Sequence, residues 1–151
     1  MLALVPVFAG PRTREVAPAA AVPAAIVSTV AAGPGVVANN SLSPIHFAAG
    51  TTQIRPTDTK ILDAHAGWLR GNRMQRLRIE GYTDSVGDSP FSRQVGEQRA
   101  KAAKAYLVSR GVPADQITAS SGGGGVPVCG EKTATCRAAS RRATFSPEAR
   151  P

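Results

Sequence analysis

The chain has 151 residues, a length that suggests one domain with room for a tail. It carries 18 Lys and Arg against 10 Asp and Glu, and its formal net charge of +8 directs attention to polyanions and anionic surfaces as partners. No stretch of about 20 apolar residues is uninterrupted, so no membrane-spanning helix is predicted.

Residues 1–42 are predicted to form a disordered, Ala/Pro-rich tail or linker. Prolines break any long helix in this region, and the surrounding Ala, Val and Gly give a semi-extended or disordered chain. Residues 1–10 are apolar, but no Lys or Arg precedes them, so they make a poor export signal as they stand. The interpretation is a degraded or truncated signal segment, or a signal that lies further upstream.

The folded domain is predicted to span residues 43–146, with residues 147–151 as a C-terminal tail. A first strand at 44–47 places Ile45 and Phe47 on one face. A helix at about 57–70 follows, started by Pro56 and by an oxygen of Thr57 or Asp58 that caps free N–H groups. Its apolar stripe has helical spacing and contains Ile61, Leu62, His65, Trp68 and Leu69. On that stripe, His65 is predicted to be a packed core residue.

The second half of the domain continues to alternate strands with helices. Residues 76–80 alternate apolar and charged side chains, which predicts a strand with Leu77 and Ile79 facing a core. In chain order the remaining predicted elements are a helix at about 91–110, a short strand at 117–119, a flexible glycine run at 121–125, a cysteine loop and a last strand at 142–145. Strands alternating with helices predict an α/β sandwich, in which helices pack on one face of a single mixed sheet.

The only two cysteines, Cys129 and Cys136, have six residues between them. That spacing is not one that binds zinc, and no histidine lies nearby in the sequence. One interpretation is a disulfide that closes a short loop, which would indicate an oxidising compartment. The alternative is two free thiols in a cytosolic loop, and the sequence does not decide between them.

Chemically distinctive residues concentrate between Gly81 and Ala100. Asp84 lies in the loop that leaves a predicted strand, and Arg99 follows fifteen residues later in the next helix. Ligands of open α/β sheets usually bind at such strand ends. A carboxylate and a guanidinium at the same strand end would bind the ammonium and the carboxylate of a zwitterion. The alternative is that Asp84 stabilises a turn and that Arg99 is a solvated or ion-paired surface residue.

The same region resembles a known family. Gly-Tyr-Thr-Asp-x-x-Gly at 81–87, followed by Phe-Ser-x-x-Val-Gly-x-x-Arg-Ala at 91–100, is similar to the central motif of the OmpA C-terminal domain family. The Val95-Gly96 and Arg99-Ala100 pairs, together with residues 61–69, look most like its peptidoglycan-associated lipoprotein (Pal) branch. Ser-Arg-Arg-Ala at 140–143 resembles the closing strand of the family. The resemblance covers about 100 residues in the same order.

The resemblance implies a β-α-β-α-β fold and non-covalent binding of the diaminopimelate group in uncrosslinked peptidoglycan stems. It implies that Asp84 and Arg99 bind this ligand. Further site residues implied by the resemblance are Tyr82, Thr83, Gly87 and, less directly, Arg142. It also implies a periplasmic location, an association with the outer membrane and, as a second partner, a Tol-type periplasmic protein. Without Asp84 or Arg99, we expect the chain to stay folded and to lose peptidoglycan.

Two other classes of function fit the sequence less well. An enzyme is not predicted, because the chain has no G-x-S-x-G, H-E-x-x-H or Walker A motif, and no cofactor or metal is expected. Nucleic-acid binding is the alternative function, since arginines cluster at 70–78 and at 137–142. No zinc finger or aromatic-interleaved basic stripe accompanies these clusters, so a nucleic-acid partner is not expected.

Overall fold

Over the residues that the structure describes, strands alternate with helices. The computed structural model describes residues 42–84, 89–124, 128–129 and 131–149. Within these ranges the elements are β1 (Leu42–His46), α1 (Thr59–Gly71), β2 (Gln75–Tyr82), α2 (Pro90–Ser109), β3 (Ile117–Gly123), α3 (Ala134–Ser140) and β4 (Arg142–Ala149). Two single 3₁₀ turns, Pro56–Asp58 and Ala114–Gln116, precede α1 and β3. Helix α2 begins at Pro90, and the Ser89 side chain caps it by accepting from the Ser92 backbone N–H.

The four strands form one mixed sheet in the order β1-β4-β2-β3. Strand β4 lies between β1 and β2 and is antiparallel to both, whereas β2 and β3 are parallel. A parallel pair requires a crossover connection, and α2 supplies it. The predicted mixed α/β sandwich is therefore confirmed.

The core lies between the sheet and the helices α1 and α2. Leu77 and Ile79 of β2 are fully buried, as their alternation with charged residues predicts. The other apolar side chains of this core come from every strand and from both long helices: Leu42, Ile45, Phe47, Leu62, Leu69, Leu107, Ile117 and Phe145 are among them. Burying each such large side chain contributes roughly 1.5–3 kcal/mol, so this layer fixes the relation between β2 and α2.

Two predicted features of individual residues are confirmed. His65 is buried and packs edge-on against Phe145, with 4.6 Å between the ring centroids. Cys129 and Cys136 form a disulfide, so the alternative of two free thiols is wrong. The disulfide joins the segment before α3 to the first turn of that helix.

Four expectations about local structure need correction. Residues 121–123 of the glycine run pair with β2 as part of β3, and the remainder of the run beyond Gly124 lies outside the described residues. Strand β4 continues to Ala149, into the segment that was assigned to a C-terminal tail. Helix α3 was not predicted. Asp58 makes no cap hydrogen bond to α1; its buried carboxylate accepts from Arg55 and from the His46 backbone N–H instead.

None of the helices in the described part of the chain has the length and hydropathy needed to span a membrane. The predicted tail at residues 1–42 lies almost wholly outside the described residues.

Candidate functional site

A contact between two glycines brings α2 against the end of β2. A Cβ atom on Gly81 would overlap the backbone carbonyl of Gly96, and a Cβ atom on Gly96 would overlap the carbonyl of Gly81. Any larger residue at either position would push the helix away from the strand. Because the two backbones touch here, Arg99, about one turn beyond Gly96, reaches the carboxyl end of β2.

Arg99 is buried, with 2% of its surface exposed. Its Nε donates to the Thr51 carbonyl at 3.1 Å and its Nη1 donates to the Tyr82 carbonyl at 2.8 Å. The guanidinium carbon lies 5.2 Å from the centroid of the Phe47 ring, within the range of a cation–π contact. These contacts fix the orientation of the guanidinium plane and use two of its five N–H donors.

Asp84 follows β2 and forms an ion pair with Arg141, the residue that connects α3 to β4. The Asp84 Oδ2 atom is 2.8 Å from Arg141 Nη1, and the two side chains are 33% and 14% exposed. Arg141 is held on its other side by Phe47, because its Nε donates to the Phe47 carbonyl and its own carbonyl accepts from the Phe47 N–H at 2.8 Å.

The three charged groups act on one another. Burial lowers the pKa of Arg99 from its ordinary value; the Asp84 carboxylate opposes this shift, and the Arg141 guanidinium adds to it. Arg99 still keeps its proton at neutral pH, because the ordinary pKa of an arginine lies far above neutral pH. Asp84, Arg99 and Arg141 therefore form one electrostatic cluster with a net charge of +1.

Thr83 precedes Asp84 in the chain and carries a buried hydroxyl. Its backbone N–H donates to the Gly123 carbonyl at 3.2 Å, whereas its Oγ1 finds no hydrogen-bond partner in the described ranges. Leaving a buried hydroxyl unpaired costs about 1–3 kcal/mol. A polar ligand group bound beside Asp84 would supply the missing partner.

The side chains of Tyr82 and Arg142 lie on the face of the sheet opposite to the other candidate residues. Gly81 faces α2, so the Tyr82 side chain points to the opposite face of the sheet, where it covers Gly122 and donates to Glu80 Oε2 at 3.0 Å. The Arg142 guanidinium stacks on this ring, 4.4 Å from its centroid. Tyr82 thus contributes its backbone carbonyl to the cluster, and Arg142 stays on the far face.

The sequence prediction chose Arg142 and missed Arg141, although strand alternation separates them. Ala143 and Phe145 face the core, so Arg141 shares their side of the sheet, while Arg142 faces away. Gly87, a further predicted site residue, lies outside the described residues. The structure therefore brings together Asp84, Arg99 and Thr83, and adds Arg141 to them.

Other features of the described ranges do not join this cluster. Groups of three or more His, Cys, Asp or Glu that would hold a metal ion are absent from these ranges. A separate cavity of about 220 Å³ contains none of the site residues and is lined by Arg73, Gln75, Arg76, Pro113, Asp115 and Gln116. It lies where β2 begins, whereas the charged cluster lies where that strand ends.

Comparison with known proteins identifies the family. The sequence profile of the OmpA family matches residues 46–141, which include Thr83, Asp84, Arg99 and Arg141. The chain belongs to the OmpA family.

Two relatives illustrate the similarity of the sequences. The chain is 34% identical to outer membrane protein P5 of Haemophilus influenzae over 127 residues, which cover 80% of this chain and 35% of the relative. It is 35% identical to the peptidoglycan-associated lipoprotein of Pseudomonas aeruginosa over 88 residues, which cover 58% of this chain and 52% of the relative. The chain thus spans between a third and about half of the length of these relatives.

The fold of this OmpA-family chain is also similar to a solved structure. The crystal structure of the peptidoglycan-associated lipoprotein from Burkholderia pseudomallei matches with a TM-score of 0.67 and 27% identity. The match covers 70% of this chain and 89% of that chain. The arrangement of strands and helices described above is therefore that of a known OmpA-like domain.

Proposed function

We propose that this chain binds peptidoglycan non-covalently, by holding the diaminopimelate group of an uncrosslinked stem peptide between Asp84 and Arg99. The observation that carries the proposal is that both residues lie at the end of β2, where Arg99 Nη1 donates to the Tyr82 carbonyl at 2.8 Å, two residues before Asp84. The names of the Pseudomonas and Burkholderia relatives, which describe association with peptidoglycan, support the same ligand.

The chemistry of the two residues fits the ends of an amino acid. Asp84 uses one carboxylate oxygen for Arg141, and in the described ranges its second oxygen has no hydrogen bond, so that oxygen is available to an ammonium group. Within the part of the chain that the structure describes, Arg99 retains three N–H donors for a carboxylate. Because its guanidinium is already held by two backbone carbonyls, little further ordering is needed when the ligand binds.

Binding rather than catalysis fits the groups that meet here. Two guanidinium groups, one carboxylate and one hydroxyl fix charges in place, and guanidinium groups do not exchange protons at neutral pH. The disulfide between Cys129 and Cys136 fits an oxidising compartment. With a relative named as an outer membrane protein, it supports a location in the periplasm beside the outer membrane. A Tol-type periplasmic protein is a further proposed partner.

The test is co-sedimentation of the full chain with purified sacculi, comparing the wild type with Asp84→Asn. This substitution keeps the shape of the side chain and removes the charge that would hold an ammonium group. Charge-assisted hydrogen bonds contribute about 1.5–3 kcal/mol, so we expect the affinity to fall at least roughly tenfold. Free diaminopimelate should displace the wild-type chain from the sacculi.

Asp63→Asn is the matched control. Asp63 is an exposed aspartate of α1 that forms an ion pair with Arg110 at 3.0 Å, so the same chemical change is made outside the cluster. Its retention should equal that of the wild type. Equal retention of Asp84→Asn and Asp63→Asn would contradict the proposed function.

A further inference from the structure

The cavity at the start of β2 is distant from the charged cluster. Arg76, which lines the cavity, and Tyr82, whose carbonyl binds Arg99, lie near opposite ends of this strand. A strand rises about 3.3 Å per residue, so the two positions are roughly 20 Å apart. A small molecule bound in the cavity would therefore leave the charged cluster free.

Hydrogen bonds hold the walls of the cavity in place. The side-chain amide of Gln116 is buried and donates to the carbonyls of Leu69, Asn72 and Gln75 at 3.2, 3.1 and 2.8 Å. The Gln116 backbone N–H donates to the Pro113 carbonyl at 3.1 Å. These bonds join the end of α1, the start of β2 and the turn before β3, so the cavity is formed without a ligand.

Arg76 contributes an unpaired guanidinium to this cavity. Its Nε is buried and has no hydrogen-bond partner among the described residues. Glu148 lies opposite Arg76 in the register of β2 and β4, but its carboxylate pairs with Arg78 at 2.6 Å. A buried donor of a charged group that lacks an acceptor is costly, so a ligand oxygen at this position would be stabilising.

The charges of the cavity favour an anion with a single charge. Arg73, an exposed arginine, lines the cavity together with Arg76, and Asp115 adds one negative charge. The lining thus has a net charge of +1. A carboxylate would neutralise it, and its two coplanar oxygens match the fork of a guanidinium group.

We propose that this cavity is a second ligand site, which binds a carboxylate group through Arg76 and Arg73. The carboxylate accepts from the Nε and one Nη group of Arg76 and is attracted by the charge of Arg73. Asp115 limits the site to singly charged groups, because it repels a second negative charge. At about 220 Å³ the cavity suits a small group rather than a drug-sized molecule. The inference is independent of the proposed function, since none of the residues of that site lines the cavity.

The experiment is a nuclear magnetic resonance titration of the full chain with acetate at constant ionic strength. Acetamide, which has nearly the same shape and no charge, is the control probe. Acetate should shift the backbone N–H signals of Gln75 and Gln116 with saturation, with a dissociation constant of roughly 0.1–10 mM. Acetamide should cause no saturating shift there. Signals of Thr83 and Asp84 report separately on acetate at the charged cluster.

Four variants test the roles of the lining residues. Arg76→Gln should weaken acetate binding at the cavity at least roughly tenfold and leave any shifts at the charged cluster unchanged. Arg76→Lys, which keeps the charge without the planar fork, should lose less affinity. Asp115→Asn removes the repelling charge and should tighten acetate binding at least about twofold. Arg137→Gln removes an exposed arginine outside the cavity and should bind acetate like the wild type.

Three results would overturn the inference: shifts at the cavity that do not saturate, equal shifts with acetate and acetamide, or equal affinity in the wild type and Arg76→Gln. Thermal unfolding shows whether each variant is folded. If Arg76→Gln is not, Asp115→Asn decides, and unchanged or weaker acetate binding in that variant contradicts the inference.

Once acetate binding is established, co-sedimentation with sacculi identifies the source of the carboxylate. Lower retention of Arg76→Gln than of Arg137→Gln would assign it to the cell wall, and equal retention would assign it to a soluble molecule. A wild type that binds acetate at the cavity but not sacculi would remove the proposed function and leave this inference intact.

Discussion

Arg99 has a structural role in addition to its proposed ligand role. The sequence suggested that its removal would leave the fold intact, but its guanidinium is buried, donates to two backbone carbonyls and lies against the ring of Phe47. Asp84 is one-third exposed, and among the described residues its ion-pair partner is Arg141. A loss of binding on mutating Arg99 is therefore ambiguous unless stability is measured with it.

We predict that substitutions of Arg99 and Asp84 lower the free energy of unfolding by different amounts. Arg99→Met keeps the volume but leaves the carbonyls of Thr51 and Tyr82 unpaired, so the free energy of unfolding should fall by about 2–4 kcal/mol. Asp84→Asn should lower it by no more than about 1 kcal/mol. Urea denaturation of both variants checks this. A stability loss for Asp84→Asn as large as that for Arg99→Met would mean that Asp84 is mainly structural.

At the scale of residues, the sequence predicts the site residues that are positioned by segments close to them in the sequence. Asp84 at a strand end and Arg99 in the following helix were predicted as a pair because one βα unit carries both. Arg141 was missed because its place depends on the pairing of β4 with β1 and β2, a long-range contact. The side chains of Tyr82 and Arg142 lie on the face of the sheet opposite to the charged cluster. A linear sequence motif does not show which face of the sheet each side chain occupies.

At the scale of elements, the position of α2 against β2 is set by Gly81 and Gly96. These two residues have the closest backbone approach found among the described glycines. Since Arg99 lies one turn after this contact, a small outward shift of the helix would move its guanidinium away from the Tyr82 carbonyl. The glycines thus belong to the site by geometry, although neither offers a side chain.

Gly96→Ala should therefore destabilise the fold and weaken retention on sacculi. Overpacking a closed contact costs about 1–3 kcal/mol, and here backbone atoms on both sides resist the added methyl group. Gly67→Ala is the matched control, because a Cβ at this exposed position of α1 meets no atom within 4 Å. It should leave stability unchanged or raise it by up to about 1 kcal/mol. Urea denaturation and sacculus co-sedimentation measure both effects; equal stability in the two variants would contradict this account.

Elements with a clear hydrophobic period were predicted within one to two residues, as β2 and α2 illustrate. Helix α3 was missed because its seven residues are mostly small and carry too few apolar side chains for a helical stripe. The glycine run was expected to be flexible because glycine has a low strand propensity. Residues 121–123 nevertheless continue β3, since pairing with β2 and the ring of Tyr82 over Gly122 override that propensity.

At the scale of the whole molecule, the net charge of +8 is compatible with both an anionic wall and a nucleic acid. The two accounts differ in how salt acts. Binding through a few fixed, partly buried charges is screened weakly, whereas binding of a basic surface to DNA releases many counterions. The proposed binding of peptidoglycan therefore predicts that salt weakens the affinity for the cell wall only slightly and the affinity for DNA strongly.

We expect retention on sacculi to change less than about threefold between roughly 50 and 200 mM NaCl, since one ligand carboxylate and one ammonium are involved. Any affinity for duplex DNA should fall by about a hundredfold or more over the same range. Parallel titrations of the full chain measure this. Tight DNA binding with a steep salt dependence, together with no retention on sacculi, would favour the nucleic-acid alternative.

The most direct test of the central claim is a crystal structure of the chain with meso-diaminopimelate. The predicted complex has the ligand ammonium on Asp84 and a ligand carboxylate on Arg99, with the backbone contacts of Arg99 to Thr51 and Tyr82 unchanged. Diaminopimelate bound elsewhere, or bound here without contact to either Asp84 or Arg99, would contradict the account.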